Sequence, residues 1–253
     1  MDPFVKRLML NNGIAEITFF HPKSNSLPSD LLNQLATEIQ VAGLDSDVSL
    51  IILRSEGKTF CAGASFDELI EIEDLENGQA FFMGFAKVIN AIRKCPKLVI
   101  GRVQGKAVGG GVGLAAAVDY CLASQDASIK LSELNIGIGP FVIEPAVSRK
   151  VGLYNFTMLT LHPDDFFDAI WARNAGLYAE FFENQADLDV GIKKLCENLA
   201  VKNPEARSAL KRVFWEGTDH WDKLLDDRAA MSGKLVLSEF TKKALNKFKK
   251  AKA

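Results

Sequence analysis

An α/β fold is predicted from three stretches of the chain. Val48 to Leu53 is an almost wholly apolar run rich in β-branched residues, the composition of a strand buried on both faces of a parallel sheet. Leu98 to Val103 has the same character, breaks into glycines at Gly105 and at Gly109 to Gly111, and runs straight into the helix-forming Leu114-Ala-Ala-Ala117. Stretches with apolar residues at helical spacing separate these runs, and alternation of helix with buried strand defines the class.

The elements follow in order. Phe4 to Leu10 and Ile14 to Phe20 flank Asn11-Asn12-Gly13, a hairpin signal because Asn and Gly tolerate positive φ. After the loop His21 to Pro28, Ser29 introduces a helix with Leu31, Leu32, Leu35 and Ile39 on one face. The strand Val48 to Leu53 leads into the small-residue loop Glu56-Gly-Lys-Thr-Phe-Cys-Ala-Gly-Ala-Ser65. Asp67 to Glu76 reads as an amphipathic segment with an acidic face, and Phe81 to Arg93 as a helix that Pro96 stops. Val118 to Ala123 and Ser128 to Leu131 are short strands, and the Gly/Pro loop 137–145 enters a helix over Ala146 to Val151. From Pro163 the strand signal nearly vanishes. Leu188, Ile192, Leu195 and Leu199 form a helical stripe, Pro204 begins another helix, and the tail alternates Leu and Phe with lysines through Lys252. Val213, Phe214, Trp215 and Trp221 read as exposed apolar residues of this region, serving either the core or a subunit contact.

Composition narrows the function. A chain of 253 residues with 48% hydrophobic content can bury a sizeable core. Its formal net charge of −2 gives no field that would gather nucleic acid. Four cysteines, at 61, 95, 121 and 196, lack close spacing, and no secretory signal opens the chain; a reducing cytoplasm is the expected location. No uncharged apolar run reaches the ~20 residues of a membrane span. His21, His162 and His220 share no metal spacing, so no metal site is expected.

Three consecutive glycines carry a heavy entropic cost, and a fold keeps them where φ must be positive or another molecule must touch the backbone. Here they stand where a helix begins, with free N–H groups and the positive end of its dipole. A tight turn and a cradle for a polarised oxygen both fit. Spacing excludes a phosphate loop, because Gly105-Lys106 is followed by Ala107; it excludes G-x-G-x-x-G, because Leu114 occupies the last glycine's place; and no serine sits in G-x-S-x-G.

Two loops, Cys61-Ala-Gly-Ala-Ser65 and Val108-Gly-Gly-Gly-Val112, thus follow buried strands in the manner that gathers loops at one edge of an open sheet. With Asn25-Ser-Leu, Gly57-Lys-Thr-Phe-Cys-Ala-Gly-Ala64, Gln104-Gly-Lys-Ala-Val-Gly-Gly-Gly111 and Leu131-Ser-Glu-Leu-Asn-Ile-Gly137, the chain resembles the enoyl-CoA hydratase/isomerase (crotonase) superfamily over nearly its whole length. The resemblance implies a crotonase-like spiral of β-β-α units, with an α/β core over residues 1–190. Residues 191–253 are then a helical region for oligomerisation and covering of the site. It implies an acyl-CoA thioester substrate and no separate cofactor, coenzyme A being part of the substrate. A homotrimer or dimer of trimers is the implied assembly, and neither nucleic acid nor membrane is a partner.

The resemblance also assigns residues. Ala64 and Gly110 correspond to the two backbone N–H donors of an oxyanion hole for the thioester oxygen, which fixed backbone dipoles stabilise without reorganisation. Ala62, Ser65, Phe66, Gly109 and Phe141 fall where substrate is bound; Ser65 stands where relatives commonly carry Asp. Hydratases of the family carry two glutamates. The second is matched by Glu133, but the first falls on Gly113, which has no side chain. Glu144 is the candidate substitute, with a dipole-stabilising surface role as its other reading. One carboxylate suits enoyl-CoA isomerisation or another one-base enolate reaction; hydration by Glu133 with Glu144 is the alternative, and a non-catalytic acyl-CoA binder the alternative of another class. Cys61 and Cys121 read as buried hydrophobes, and the lysines from 242 to 252 as a solvated helix face, with contact to a CoA phosphate as the family's other use of that position.

Overall fold

The computed structural model describes residues 1–252, and side chains through Lys247. The chain opens with strands β1 (Phe4–Leu10) and β2 (Ile14–Phe20), joined through Asn12 and Gly13 at φ 60° and 70°, the positive dihedrals expected of that turn. Then come β3 (Ser26–Leu27), α1 (Ser29–Leu44), β4 (Leu50–Ser55), β5 (Gly63–Ala64), α2 (Phe66–Leu69), α3 (Leu75–Lys94), β6 (Val99–Val103), β7 (Ala107–Val108), α4 (Gly110–Ala117), β8 (Tyr120–Ser124) and β9 (Ile129–Lys130). A 3₁₀ turn over Glu133–Ile136 precedes α5 (Glu144–Leu161), α6 (Ala169–Asn174), β10 (Glu180–Phe182), α7 (Gln185–Ala200), α8 (Pro204–Phe214), α9 (Trp221–Val236) and α10 (Glu239–Lys252). Among the described residues no helix is long and apolar enough to cross a membrane.

Long strand, short strand and helix recur as β2-β3-α1, β4-β5-α2, β6-β7-α4 and β8-β9-α5, the β-β-α spiral that the family resemblance implies. The long strands form one six-stranded sheet ordered β1-β2-β4-β6-β8-β10, parallel except for the β1-β2 hairpin. The short strands pair as β3-β5 and β7-β9, and a bridge between Cys61 and Ala107 ties the two pairs.

Side-chain alternation along β4 explains the burial on both faces. Ile51 and Leu53 join the main core beneath α1, α3 and α4, whereas Leu50 and Ile52 face the opposite layer with Leu188, Ile192 and Cys196 of α7. Helix α4 is buried from Gly111 to Ala117. A helix with no polar face must sit inside the protein, so the segment carrying the glycines is fixed at its centre. Each Leu, Ile or Phe so buried contributes roughly 1.5–3 kcal/mol.

Several sequence expectations are corrected. The acidic stretch Asp67 to Glu76 is not continuous: α2 ends at Leu69, and α3 starts afresh because Asp74 accepts a hydrogen bond from Asn77 N–H (2.8 Å), an N-cap. Strand β10 was not expected, being three residues long and defined by its pairing with β8. Trp215 and Trp221 are buried, meeting edge to face at 5.7 Å, while Val213 and Phe214 are exposed. Trp221, Leu225 and Ala229 of α9 belong to the main core, and α9 lies along α3 where a Cβ on Gly78 would come 2.9 Å from Gly233 Cα. The tail lysines 242, 243 and 247 are exposed; the side chains of Lys249, Lys250 and Lys252 lie outside the described residues.

Candidate active site

The two small-residue loops pack backbone against backbone. Val108 N–H donates to the Cys61 carbonyl (2.9 Å), and a Cβ on Gly111 would stand 2.3 Å from that same oxygen, so only glycine permits the approach. The neighbouring loop is braced by Asn25, whose amide donates to the carbonyls of Glu56 (2.7 Å) and Thr59 (2.8 Å).

Two N–H groups emerge from this junction. Ser65 N–H donates to Leu27 O (2.9 Å) across the β3-β5 pair; successive amides of a strand point to opposite sides, so Ala64 N–H is turned away from β3. Gly109 N–H is used by Lys130 O (2.9 Å), which leaves Gly110 as the first residue of α4, with no acceptor in its own helix. The junction is close: a Cβ on Gly63 would lie 3.6 Å from Gly110 N. Gly109 itself has φ 53° and ψ −119°, backbone that side-chain-bearing residues avoid.

A cavity of about 630 Å³ opens onto these groups. It gathers Ala62, Ala64, Ser65, Phe66, Gly109, Gly110, Glu133 and Phe141 in its wall. Phe81, Phe82 and Phe85 of α3 add an aromatic side, and the Phe85 ring lies so close that a Cβ on Gly110 would meet it at 2.4 Å. Ser65 is 8% exposed, and its hydroxyl caps α2 by accepting from Glu68 N–H (3.3 Å), which accounts for a small hydroxyl residue here.

Glu133 enters from the 3₁₀ turn. The residue is half-buried, yet its Oε2 is shielded from solvent and has no hydrogen-bond partner, while Oε1 faces the Gly109 α-carbon. Burial pushes its carboxyl up to about 7, opposed by hydrogen bonds from the backbone of Glu133 and Ser132. A carboxyl tuned toward neutrality in an apolar cleft, beside backbone donors, is equipped to exchange a proton with a bound carbon acid.

Glu144 is held elsewhere. It is absent from the cavity wall, and its Oε2 lies 3.6 Å from Arg228 Nη2 on α9. The structure does not bring it together with Glu133. Gly113, one turn into α4, faces Ile143, whose Cγ2 would lie 2.3 Å from an added Cβ. Nothing along the sequence singles out Ile143, which acts through a contact between distant segments. Lys23 and Lys130 also line the cavity without having been singled out; Lys23 is ion-paired with Asp67. Burial raises the Cys61 and Cys121 thiols to about 12, which makes them inert apolar groups.

Comparison with known proteins gives a consistent answer. The family model described as enoyl-CoA hydratase/isomerase matches residues 9–252. The chain is 27% identical to the "Probable enoyl-CoA hydratase" of Bacillus subtilis, over 95% of this chain and 94% of that protein. It is 26% identical to the peroxisomal Delta(3,5)-Delta(2,4)-dienoyl-CoA isomerase of Arabidopsis thaliana, over 88% and 84% of the two chains. The crystal structure of enoyl-CoA hydratase from Bacillus halodurans superposes with a TM-score of 0.89 at 21% identity, covering 96% of this chain and 99% of that one.

Proposed function

The chain belongs to the enoyl-CoA hydratase/isomerase family, and from that premise we propose that it is an enoyl-CoA isomerase, or a closely related one-base enolate enzyme, with Glu133 as its base. The observation that carries this reading is the carboxylate of Glu133: it has an unpartnered buried oxygen in the cavity, the other acid in the wall, Asp67, is ion-paired with Lys23, and the position of a second carboxylate is Gly113, closed over by Ile143.

The chemistry needs nothing further. Glu133 removes a proton from C2 of a 3-enoyl thioester, and the C–H electrons pass into the carbonyl to form a dienolate. Ala64 N–H and Gly110 N–H hold its oxygen, where two fixed donors match charge that exists only in the transition state and intermediate. The acid so formed returns the proton to C4, the double bond settles between C2 and C3, and Glu133 is again a carboxylate. Coenzyme A is part of the substrate, so the reading calls for no separate cofactor.

The aromatic wall of Phe81, Phe82, Phe85 and Phe141 suits an apolar acyl group. A homotrimer or dimer of trimers is supported by the exposed apolar side chains Leu153, Tyr154, Leu161, Phe166 and Ile170. Cytoplasmic residence is supported by four cysteines that are all free.

One assay plate tests the function: 3-enoyl and 2-enoyl thioesters of several chain lengths, with wild type, Glu133→Gln and Glu144→Gln. Isomerisation lost in Glu133→Gln and retained in Glu144→Gln is expected. Rapid hydration of 2-enoyl-CoA lost equally in both variants would replace this reading with a Glu133–Glu144 pair, and turnover of no thioester would leave a non-catalytic acyl-CoA binder.

A further inference from the structure

A second cavity, of about 720 Å³, lies at the opposite end of the strands, beside Leu98 and Tyr120 where β6 and β8 begin. Its walls are apolar: Leu98 and Ile100 form the floor, and Leu195 and Leu199 of α7 face Leu210 and Phe214 of α8. Its charge is one-sided. Arg149, Lys150, Lys202 and Arg207 line it against a single carboxylate, Asp119.

That carboxylate is already satisfied. Asp119 accepts from Lys211 Nζ (2.7 and 2.8 Å), from Trp215 Nε1 (2.7 Å) and from Val99 N–H (2.7 Å). The four cations, by contrast, have no carboxylate partner among the described residues: Lys150 donates to the Asp119 carbonyl (2.8 Å), Arg149 lies over the Trp215 ring at 5.0 Å, and Arg207 donates to the Ser49 carbonyl (2.9 Å). Arg207 is only 9% exposed, and its Nε is buried with no partner at all. A buried guanidinium normally finds an anion, because leaving a charged donor unpaired is costly.

We propose that this cavity is a binding site for an apolar-tailed carboxylate of the medium-chain fatty acid class. The carboxylate pairs with Arg207 and the neighbouring Lys150, and the tail lies between α7 and α8 on Leu98 and Ile100. The volume is in the range of small-molecule sites, which run roughly 300–1,000 Å³. Charge complementarity selects the head group, since a cationic amphiphile of the same shape would meet four like charges. The site is separate from the cavity of Glu133, so its existence does not depend on the reaction proposed there.

Titration calorimetry of the full chain with decanoate, decylamine and acetate tests the proposal. Decanoate is expected to bind once per chain, with decylamine and acetate giving no heat. Arg207→Gln is expected to weaken decanoate at least about tenfold, as loss of a charged hydrogen bond does. Lys202→Glu, a change at an exposed position that cannot unfold the core, is expected to weaken it in the same direction, and Glu133→Gln to leave it unchanged. Absence of decanoate heat would overturn the proposal, as would equal binding of decylamine. Binding insensitive to both cation variants but lost in Phe141→Trp would place the ligand in the first cavity and overturn it as well. A change of sedimenting mass in Lys202→Glu, with no decanoate heat in wild type, would assign this face to a second copy of the chain instead.

Discussion

The carboxylate of Glu133 stands against the α-carbon of Gly109, so that a Cβ at position 109 would lie 2.8 Å from Oε1. Twenty-odd residues apart in sequence, the proposed base and the residue that precedes the proposed oxygen-binding amide are in direct contact. That contact couples the carboxylate of Glu133 to the loop that carries the Gly110 N–H, and it leaves no room for a side chain at position 109.

Gly109→Ala is therefore expected to lose activity while the fold persists. The methyl group collides with Glu133, and the positive φ costs roughly 1–3 kcal/mol in a residue other than glycine. Displacing a base from its working geometry lowers kcat by on the order of 10². Steady-state kinetics with circular dichroism checks this; an active, folded Gly109→Ala would remove Glu133 from the reaction.

The pH profile of kcat/KM should report Glu133. A base must be ionised, so with its carboxyl at about 7 the rate is expected to fall roughly tenfold per pH unit on the acid side. Stability runs the other way. Because the folded value lies above the ordinary 4.5, the contribution of Glu133 is fully present below 4.5 and lost as pH rises through about 7. Glu133→Gln is thus expected to be more stable than wild type above pH 7, by up to ~3 kcal/mol, with the gap closing toward pH 4.5. Urea unfolding at several pH values measures it.

Gly110 can be divided into its N–H and its missing side chain. Gly110→Ala keeps the donor but drives a Cβ into Phe85, which stands 2.4 Å away, so Phe85→Leu is expected to restore much of the lost activity. Gly110→Pro in the same Phe85→Leu background is tolerated at the first position of a helix but has no N–H. It is expected to lose 10²–10³-fold in kcat, the usual effect of one oxyanion donor. Equal activity of the alanine and proline forms would mean the oxygen is held elsewhere.

Installing the missing carboxylate should fail without more space. Gly113→Glu places atoms 2.3 Å from Ile143 Cγ2 and is expected to destabilise the protein by about 1–3 kcal/mol with no hydration gained. With Ile143→Ala alongside, a measurable hydration of 2-enoyl-CoA is expected. Thermal unfolding and a hydration assay decide between these outcomes.

The pair Lys211–Asp119 is 2% exposed on each side. Lys211→Met leaves Asp119 buried without its cation, which is expected to cost about 3–5 kcal/mol of stability. Added salt should not change the difference, since solvent ions do not reach the pair. Denaturant titrations at low and high salt test both statements.

Much of this protein was legible as a linear pattern. Period-2 and period-3.6 repeats of apolar residues report which side of an element is buried, and they located the hairpin, α1, β4 and the strand-glycine-helix passage through α4. The glycines marked where backbone packs too closely for a side chain, and the motif resemblance pointed to Glu133. What the pattern could not carry was partnership between distant segments. Periodicity says that Trp215 and Trp221 are apolar, not that their rings meet edge to face while Trp215 donates to Asp119, and Lys211 reads as a surface lysine until its buried anion is seen. Glu144 illustrates the same limit. From the sequence it could have turned toward Glu133, but packing of α9 on α3 brings Arg228 to it, and the adjacent Ile143 fills the space over Gly113. Local propensity and burial were determined by the sequence read along the chain; the number of carboxylates in the cavity was decided only by the tertiary structure, because a side chain's direction is set by long-range contacts that no short window contains.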